Sequence, residues 1–207
     1  MVSPDKITDA ELTGALPDVE TDVTVAGLTA TVTITRDGLG IPHVSASTPA
    51  DAFFGQGFVT AQDRLWHMDY DRMKAYGRWA EFAGPPGVPS DLLMRRMQVQ
   101  AAVIRDYQEL GDAATEMLDV YAAGVNAFIR STKNLPLEYG LVDAEPEQWR
   151  PWDCLAVYFM RHVMMGGFEG KLWRARLVNA LGPERAAEIG LAIARAHREI
   201  VKKGEAD

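Results

Sequence analysis

The spacing of apolar residues changes once along this chain, and that change limits the folds that the chain can adopt. Before residue 48, β-branched and apolar residues alternate with polar ones, most clearly from Thr31 to Thr35. This period of two is typical of β-strands. After residue 48 the apolar residues recur every three or four positions, which predicts helices. The sequence therefore predicts a mostly helical α+β chain with a few N-terminal strands.

Local signals place the individual elements. Thr48 is a good N-cap, and Pro49 fits the first position of a helix. The helix that follows is predicted from about 50 to about 83, where Gly84-Pro85-Pro86-Gly87 ends it. Further helices are predicted at about 90–110, 112–130, 153–164, 173–181 and 183–203, after a short one at 9–16. Strands are predicted near 23–25 and 31–35, with a short extended segment at 41–44 and turns at 26–28 and 37–40.

The strands are too few to form a full sheet alone, so the sequence already indicates a missing partner. Nucleic acid is not expected to be that partner, because the net charge of −8 is poorly suited to binding phosphates. A membrane is not expected either, since no apolar run approaches the roughly 20 residues that span a bilayer. The N-terminal residues lack the basic and apolar regions of a signal peptide, and the localisation stays unknown.

The common catalytic motifs are not found in this sequence. The glycines of Phe54-Gly55-Gln56-Gly57-Phe58 lie inside a helical pattern, which favours close helix packing over phosphate binding. The four histidines have no metal-ligand spacing, and there is no G-x-S-x-G elbow. The single cysteine, Cys154, excludes an intrachain disulfide and is expected to be a buried small hydrophobe.

The long predicted helix is densely charged. Asp63 and Arg64 are adjacent, so they do not face each other. The same helix also carries Asp69, Asp71, Arg72 and Arg78. The default interpretation is a solvated helix face. The alternative is that buried ion pairs brace a cleft, where the fixed fork of an arginine is favoured.

Three segments are informative when taken together: residues 33–44, TITRDGLGIPHV, residues 55–68, GQGFVTAQDRLWHM, and residues 146–153, PEQWRPWD. Together they resemble the α (small) subunit of the penicillin acylase family of N-terminal-nucleophile hydrolases. The first is similar to the family segment R-D-x-x-G-[VI]-P-H-[IV], and the second to its helix G-x-x-x-A-[QE]-D-R-L-[FW]-x-M. The third is similar to the family's P-x-x-W-x-P-x-D turn. The likeness covers about residues 30–182, in the family's order and spacing.

This resemblance implies an αββα sandwich that is completed by a β subunit from the same precursor. The family's precursor cleaves itself, and the new N-terminal Ser, Thr or Cys of the β subunit is the nucleophile. The present chain would then carry no catalytic residue and be inactive alone. The implied division is a polar N-terminal segment at 1–22, the α-subunit domain at 23–190 and a helical tail or spacer at 191–207.

The resemblance also suggests site residues. His43, Asp63 and Arg64 are candidate structural residues of a cleft. Met164, Met165 and Phe168, around the Gly166-Gly167 break, are candidates for the pocket that binds the acyl group, because flexible methionines adapt to apolar ligands. Ordinary core packing explains these three residues almost as well.

Calcium is the one cofactor that the resemblance implies, near the subunit interface and with one glutamate from the α chain. Glu169 is the nearest carboxylate in this sequence. The downstream Leu-x-x-Ala-Leu pattern instead aligns Lys171 with that position, in which case the metal is absent or is bound mainly by the β chain.

The expected reaction is hydrolysis of an N-acyl amide to a carboxylic acid and an amine. Acylated penicillins, acyl-homoserine lactones, lipopeptides and cephalosporin side chains remain open as substrates. The alternative is a stand-alone helical binding or regulatory protein without catalysis. That protein would need no second polypeptide for its stability.

Overall fold

A computed structural model describes residues 7–204 and, within them, all side chains except those of residues 163, 164, 168 and 194–204. The predicted predominance of helix over strand is confirmed. In chain order the elements are α1 (Asp9–Gly14), β1 (Thr33–Arg36), β2 (Pro42–Ser45), α2 (Pro49–Ala75), α3 (Ala80–Ala83), a 3-10 turn (Pro85–Gly87), α4 (Val88–Met97), α5 (Val99–Gln108), α6 (Asp112–Ser131), α7 (Leu137–Val142), α8 (Pro151–Met165), α9 (Phe168–Leu181) and α10 (Pro183–Gly204).

The sheet of the described chain is one antiparallel hairpin, in which Thr33 of β1 lies opposite Ser45 of β2. Asp37 closes the turn, because its Oδ1 accepts hydrogen bonds from the backbone N–H groups of Leu39 and Ile41, at 2.9 and 3.0 Å. Gly40 has a φ of 78°, a conformation that favours glycine. The turn predicted at 37–40 is therefore confirmed, and the extended segment after it forms β2.

The strand predicted at 23–25 is not formed. Residues 22–25 have no regular secondary structure, although the turn predicted after them is present at Ala26 and Gly27. Alternating valines favour a strand only where a neighbouring strand supplies hydrogen bonds, and in the described chain β1 and β2 pair only with each other.

Helix α2 begins as predicted. Thr48 Oγ1 accepts a hydrogen bond of 3.0 Å from the backbone N–H of Asp51, and Pro49 occupies the first turn. The helix ends earlier than predicted, at Ala75, because Gly77 adopts a φ of 64° before α3 begins. Halfway along α2, Arg64 has non-helical angles of −145° and 21°, which kink the helix.

Helices α2 and α6 cross with their backbones in close contact. A Cβ on Gly57 would lie 2.1 Å from the carbonyl oxygen of Tyr121, and a Cβ on Gly124 would lie 2.0 Å from that of Phe54. The glycines of the G-x-G segment therefore serve helix packing, as the sequence indicates. The main core lies at this crossing and is formed by Ala61, Leu65, Ala122, Val125, Phe128, Tyr139 and Trp149.

Two helical predictions were wrong in detail. The single helix predicted at about 90–110 is split into α4 and α5, because Gln98 takes a left-handed conformation with a φ of 53°. No element was predicted after the loop at Leu135-Pro136, but the chain there forms the short α7, whose Tyr139 is 1% exposed. Burial against the core stabilises this helix, and local propensity gives little sign of it.

The chain divides into two compact units, residues 1–161 and 162–207, with the division inside α8. The first unit holds both core clusters. The second unit contains α9 and α10, and Ala186 is buried within it. In the part of the chain that the structure describes, every helix is too short or too polar to cross a membrane.

Candidate functional site

The structure brings the three sequence motifs together on helix α2. The first motif forms the β1–β2 hairpin, the second lies within α2, and the third is the loop that leads into α8. Two arginines make the links. Arg36 of the hairpin binds Asp63 of α2, and Arg72 of α2 binds Asp153 at the start of α8.

The first link, which we call the hairpin clamp, consists of Arg36, Gln62 and Asp63. The guanidinium of Arg36 donates to both carboxylate oxygens of Asp63, at 2.6 and 3.1 Å, and to Gln62 Oε1 at 2.9 Å. It also donates to the carbonyl oxygen of Gly40 at 3.0 Å. Gln62 in turn donates to the carbonyl oxygen of Asp18 at 2.8 Å. The clamp therefore joins the hairpin, α2 and the N-terminal segment.

The predicted cleft residues lie around this clamp. Asp63 is paired with Arg36, and the His43 ring nitrogen lies 3.3 Å from Asp37 Oδ2 in the hairpin turn. Hydrogen bonds from Ile41, Leu39 and His43 lower the pKa of Asp37. Arg64 is exposed and lines an open groove of about 710 Å³. Within this chain, none of the three predicted side chains is buried.

The second link is a buried arginine cluster, made of Arg72, Asp69, Asp153, Tyr76 and Tyr139. Arg72 is 3% exposed and donates to Asp69 and, at 3.1 Å, to Asp153. Tyr139 donates to Asp69, and Tyr76 donates to Asp153 at 2.5 Å. Burial raises the pKa of Asp69, while Arg72 and Tyr139 oppose that rise. One buried cation is thus shared between two buried carboxylates.

The buried arginine cluster holds the third motif in place. Arg72 donates to the backbone carbonyl of Gln148 at 3.1 Å, and its guanidinium lies 5.0 Å from the centre of the Trp149 ring. The side-chain amide of Asn126 on α6 exchanges two hydrogen bonds with the backbone of Trp149, at 2.7 and 2.8 Å. The loop is therefore fixed to both α2 and α6 at its buried side.

A third ionic group surrounds Asp71 of α2. Asp71 is buried and accepts a hydrogen bond of 2.5 Å from Arg161 of α8. The ring nitrogen Nε2 of His67 lies 2.6 Å from the same guanidinium. An arginine has no acceptor, so in this arrangement His67 Nε2 accepts the hydrogen bond. This group ties α8 to α2.

The structure locates the predicted pocket and metal residues only in part. Met165, at the end of α8, is 86% exposed. The side chains of Met164 and Phe168 lie outside the described residues. Glu169 is exposed in the first turn of α9. Among the described residues, no group of three or more His, Cys, Asp or Glu side chains could hold a metal ion.

The sequence predicted Asp69 and Arg72 in a charged helix, with buried ion pairs as the alternative to a solvated face, and the structure buries both residues. Their spacing of three residues places both on the side of α2 that carries the buried Leu65. This shared helix side can be read from the sequence, and it favours a buried ion pair. Asp153, Tyr139 and Asn126 gave no such sign, because their partners are 81, 70 and 23 residues away along the chain.

The chain is similar to several known proteins. The penicillin amidase family model matches residues 31–197. The chain is 45% identical to the penicillin acylase 2 proenzyme of Pseudomonas sp. (strain SE83) over 88% of its length, and that match covers 24% of the proenzyme. It is 34% identical to the acyl-homoserine lactone acylase QuiP of Pseudomonas aeruginosa over 72% of its length, covering 18% of that protein. The chain thus spans about a quarter or less of these relatives.

A solved structure is also similar. It is the thermostable penicillin G acylase from Alcaligenes faecalis, matched with a TM-score of 0.61 and 28% identity. The match covers 77% of this chain and 88% of the solved chain. Since the family model spans most of the sequence and includes all three linked motifs, the chain belongs to the penicillin amidase family.

Proposed function

We propose that this chain is the small, non-nucleophilic subunit of a two-chain acylase that hydrolyses N-acyl amides to a carboxylic acid and an amine. One observation carries the proposal. The chain aligns over most of its length with only 24% of a protein named as a proenzyme, yet it matches 88% of one chain of a solved acylase. A processed precursor whose short piece persists as a separate chain accounts for both values.

In this proposal the chemistry belongs to the other polypeptide. Its N-terminal Ser, Thr or Cys attacks the amide carbonyl, and its own α-amine acts as the base. The amine product leaves, and water then releases the acid from the acyl-enzyme. The present chain supplies support, and its two arginine links hold the hairpin and the third motif in fixed positions on α2. A rigid frame of this kind is what a precise site requires.

The acyl pocket is the second contribution that we propose for this chain. Met164, Met165 and Phe168 flank a glycine pair at the end of α8. Met165 is 86% exposed on this chain, so its side chain is free to contact a substrate or a second polypeptide. An unbranched thioether there would adapt to apolar acyl groups of different shape.

A panel of acyl amides tests the pocket and the function together. It contains acylated penicillins and acyl-homoserine lactones of different chain length, assayed with the assembled two-chain enzyme. We expect Met165→Ala and Phe168→Ala to reorder the kcat/KM values across the panel by about 10- to 200-fold, because a methylene in an apolar pocket has an effect of that size. Met97→Ala, an exposed methionine of α4, is the matched control.

Uniform losses across the panel, together with a lower melting temperature, would show that these residues only pack. In that case the pocket assignment would be withdrawn and the subunit assignment kept. An assembled enzyme with no activity on any acyl amide would contradict the proposed reaction itself.

We propose that calcium, the one cofactor that the resemblance implies, would take at most one side-chain ligand, Glu169, from this chain. The ion takes 6–8 oxygen ligands, and the described residues offer no cluster of carboxylates around Glu169. A site that uses Glu169 would need most of its ligands from the other polypeptide. Metal analysis of the assembled enzyme, with and without Glu169→Gln, checks this: loss of bound calcium in the variant would assign the ligand.

A further inference from the structure

The groove beside the hairpin clamp is the feature that the proposed chemistry does not use. It is open, has a volume of about 710 Å³ and runs between the N-terminal segment, the kink of α2 and the start of α7. Its apolar wall includes Leu12 and Leu16, which are 51% and 64% exposed. Ligand pockets bury most of a small molecule, whereas this groove is open to solvent.

The charges of the groove are only partly paired. Arg36 and Asp63 bind each other in the hairpin clamp, and His67 is engaged by Arg161. Arg64 makes no hydrogen bond or ion pair with any described residue, and the same holds for Glu138 on the α7 side. An occupant of complementary charge would therefore present a carboxylate to Arg64 and a donor to Glu138.

The kink in α2 accounts for the exposure of the Arg64 guanidinium between two residues that are engaged in contacts. Its backbone angles of −145° and 21° take it out of the regular helix, between Asp63 in the clamp and Leu65 in the core. Kinks usually arise at proline, glycine, a π-bulge or an inserted group, and no proline or glycine lies at this position. The kink leaves the guanidinium in the groove, exposed and unpaired.

We infer that the groove binds a segment of the larger polypeptide of the proposed two-chain enzyme, and that Arg64 pairs with an acidic side chain of that segment. The inference rests on the proposed function. Most of the related proenzyme lies outside the part that this chain matches, so a large partner is available to fill the groove. Arginine beside apolar side chains is also the composition that interfaces favour at their centres.

The test uses the remainder of the Pseudomonas penicillin acylase 2 proenzyme, outside the matched part, co-produced with the full present chain. Capture of the complex on a tag and the rate at which the chain dissociates from the captured complex are measured. We expect Arg64→Glu to speed this dissociation about 30-fold or more. Arg64→Lys should keep much of the binding. Arg96→Glu, an exposed unpaired arginine of α4, is the matched control and should bind normally.

A second variant distinguishes loss of the ion pair from loss of the fold. Arg64→Gln removes the charge without reversing it, and circular dichroism compares the helix content of its complex with that of the unchanged complex. Raising the salt from about 0.05 M to about 0.5 M should weaken binding of the unchanged chain more than binding of Arg64→Gln, because screening acts on the ion pair.

The outcomes separate the two proposals. Equal capture of the unchanged chain and Arg64→Glu overturns the docking inference and leaves the two-chain function standing. Failure to capture the unchanged chain overturns both. Normal assembly of Arg64→Gln, with activity lost only on penicillins and kept on acyl-homoserine lactones, would show that Arg64 meets a substrate carboxylate and would also overturn the docking inference.

Discussion

At the scale of single residues, Arg72 has the largest structural role in this chain. It is the shared cation of the buried arginine cluster and the donor that fixes the third motif. Burying three charged groups is costly, and the cost is offset only while all of them remain paired. The cluster therefore works as a unit, and removing its cation leaves two carboxylates without a partner.

We expect Arg72→Met to lower the free energy of unfolding by about 3–5 kcal/mol, because it leaves Asp69 and Asp153 buried without a cationic partner. Arg78→Met is the control. Arg78 pairs with Glu81 and Glu147 at the surface, where such pairs are worth about 0–1 kcal/mol. Urea unfolding of the assembled enzyme measures both variants. Equal unfolding midpoints for the two variants would show that the buried arginine cluster contributes no more stability than the surface ion pairs of Arg78.

Cys154 illustrates how burial changes reactivity. It is a free thiol of intermediate exposure, and burial raises its pKa to about 11. The indole N–H of Trp149 lies 3.4 Å from its sulfur. The sequence predicts a buried small hydrophobe, and the structure shows a partly buried one that packs against the main core.

The expected consequence is slow alkylation. An unfolded thiol has a pKa of about 8.5, so at a pH of about 8 a sizeable fraction is thiolate, whereas the native thiol has roughly a thousandth in that form. Labelling by iodoacetamide should therefore be slow in the native enzyme and fast in urea. Equally fast labelling in both states would show that Cys154 is accessible and ionised.

At the scale of the elements, the crossing of α2 and α6 sets the geometry of the whole first unit. The hairpin clamp and the buried arginine cluster both sit on α2, and Asn126 on α6 holds the same loop as Arg72. Gly57 and Gly124 allow the two backbones to touch. Any side chain there would push the helices apart and shift both links.

Gly57→Ala tests this contact. The added Cβ would lie 2.1 Å from a backbone carbonyl oxygen, which cannot move aside as a flexible side chain can. We expect a loss of stability of about 1–3 kcal/mol or more. Gly140→Ala in α7 is the control, because nothing lies within 4 Å of its Cβ position, and it should be neutral or stabilising by about 0.4–1 kcal/mol. Thermal melts of the assembled enzyme compare them, and a neutral Gly57→Ala would mean that the helices can separate cheaply.

At the scale of the whole molecule, this chain leaves surfaces that a stable monomer usually covers. Its two-stranded sheet has open edges among the described residues, and Leu39 and Met165 are each 86% exposed. Isolated hairpins are marginally stable, and open edges promote association. These features agree with the two-chain proposal.

The chain produced alone should consequently be aggregated or partly folded, and it should show no amidase activity. Co-production with the larger polypeptide should restore a defined complex and activity. Size-exclusion chromatography and an acyl amide assay measure both samples side by side. A monodisperse monomer that melts cooperatively by itself would favour the stand-alone binding protein instead.

The sequence by itself determined the local events. Thr48 and Pro49 start α2, and Asp37 with Gly40 turns the hairpin, because each signal acts within a few residues. The three motifs predicted the family, and the family match confirms it. The helix-packing role of Gly57 was also predictable, since glycine inside a helical pattern is costly unless a close approach requires it.

Only the tertiary structure decided which charges pair. Asp63 pairs with Arg36, 27 residues away, and Asp153 pairs with Arg72, 81 residues away. Both pairings depend on how the hairpin and α8 pack against α2, which periodicity does not specify. The strand predicted near Val23 did not form, and the helix around Tyr139 was not predicted. Both differences depend on contacts between distant segments. Strand pairing and the burial of a short helix are supplied by distant segments, and so they are settled only when the chain has folded.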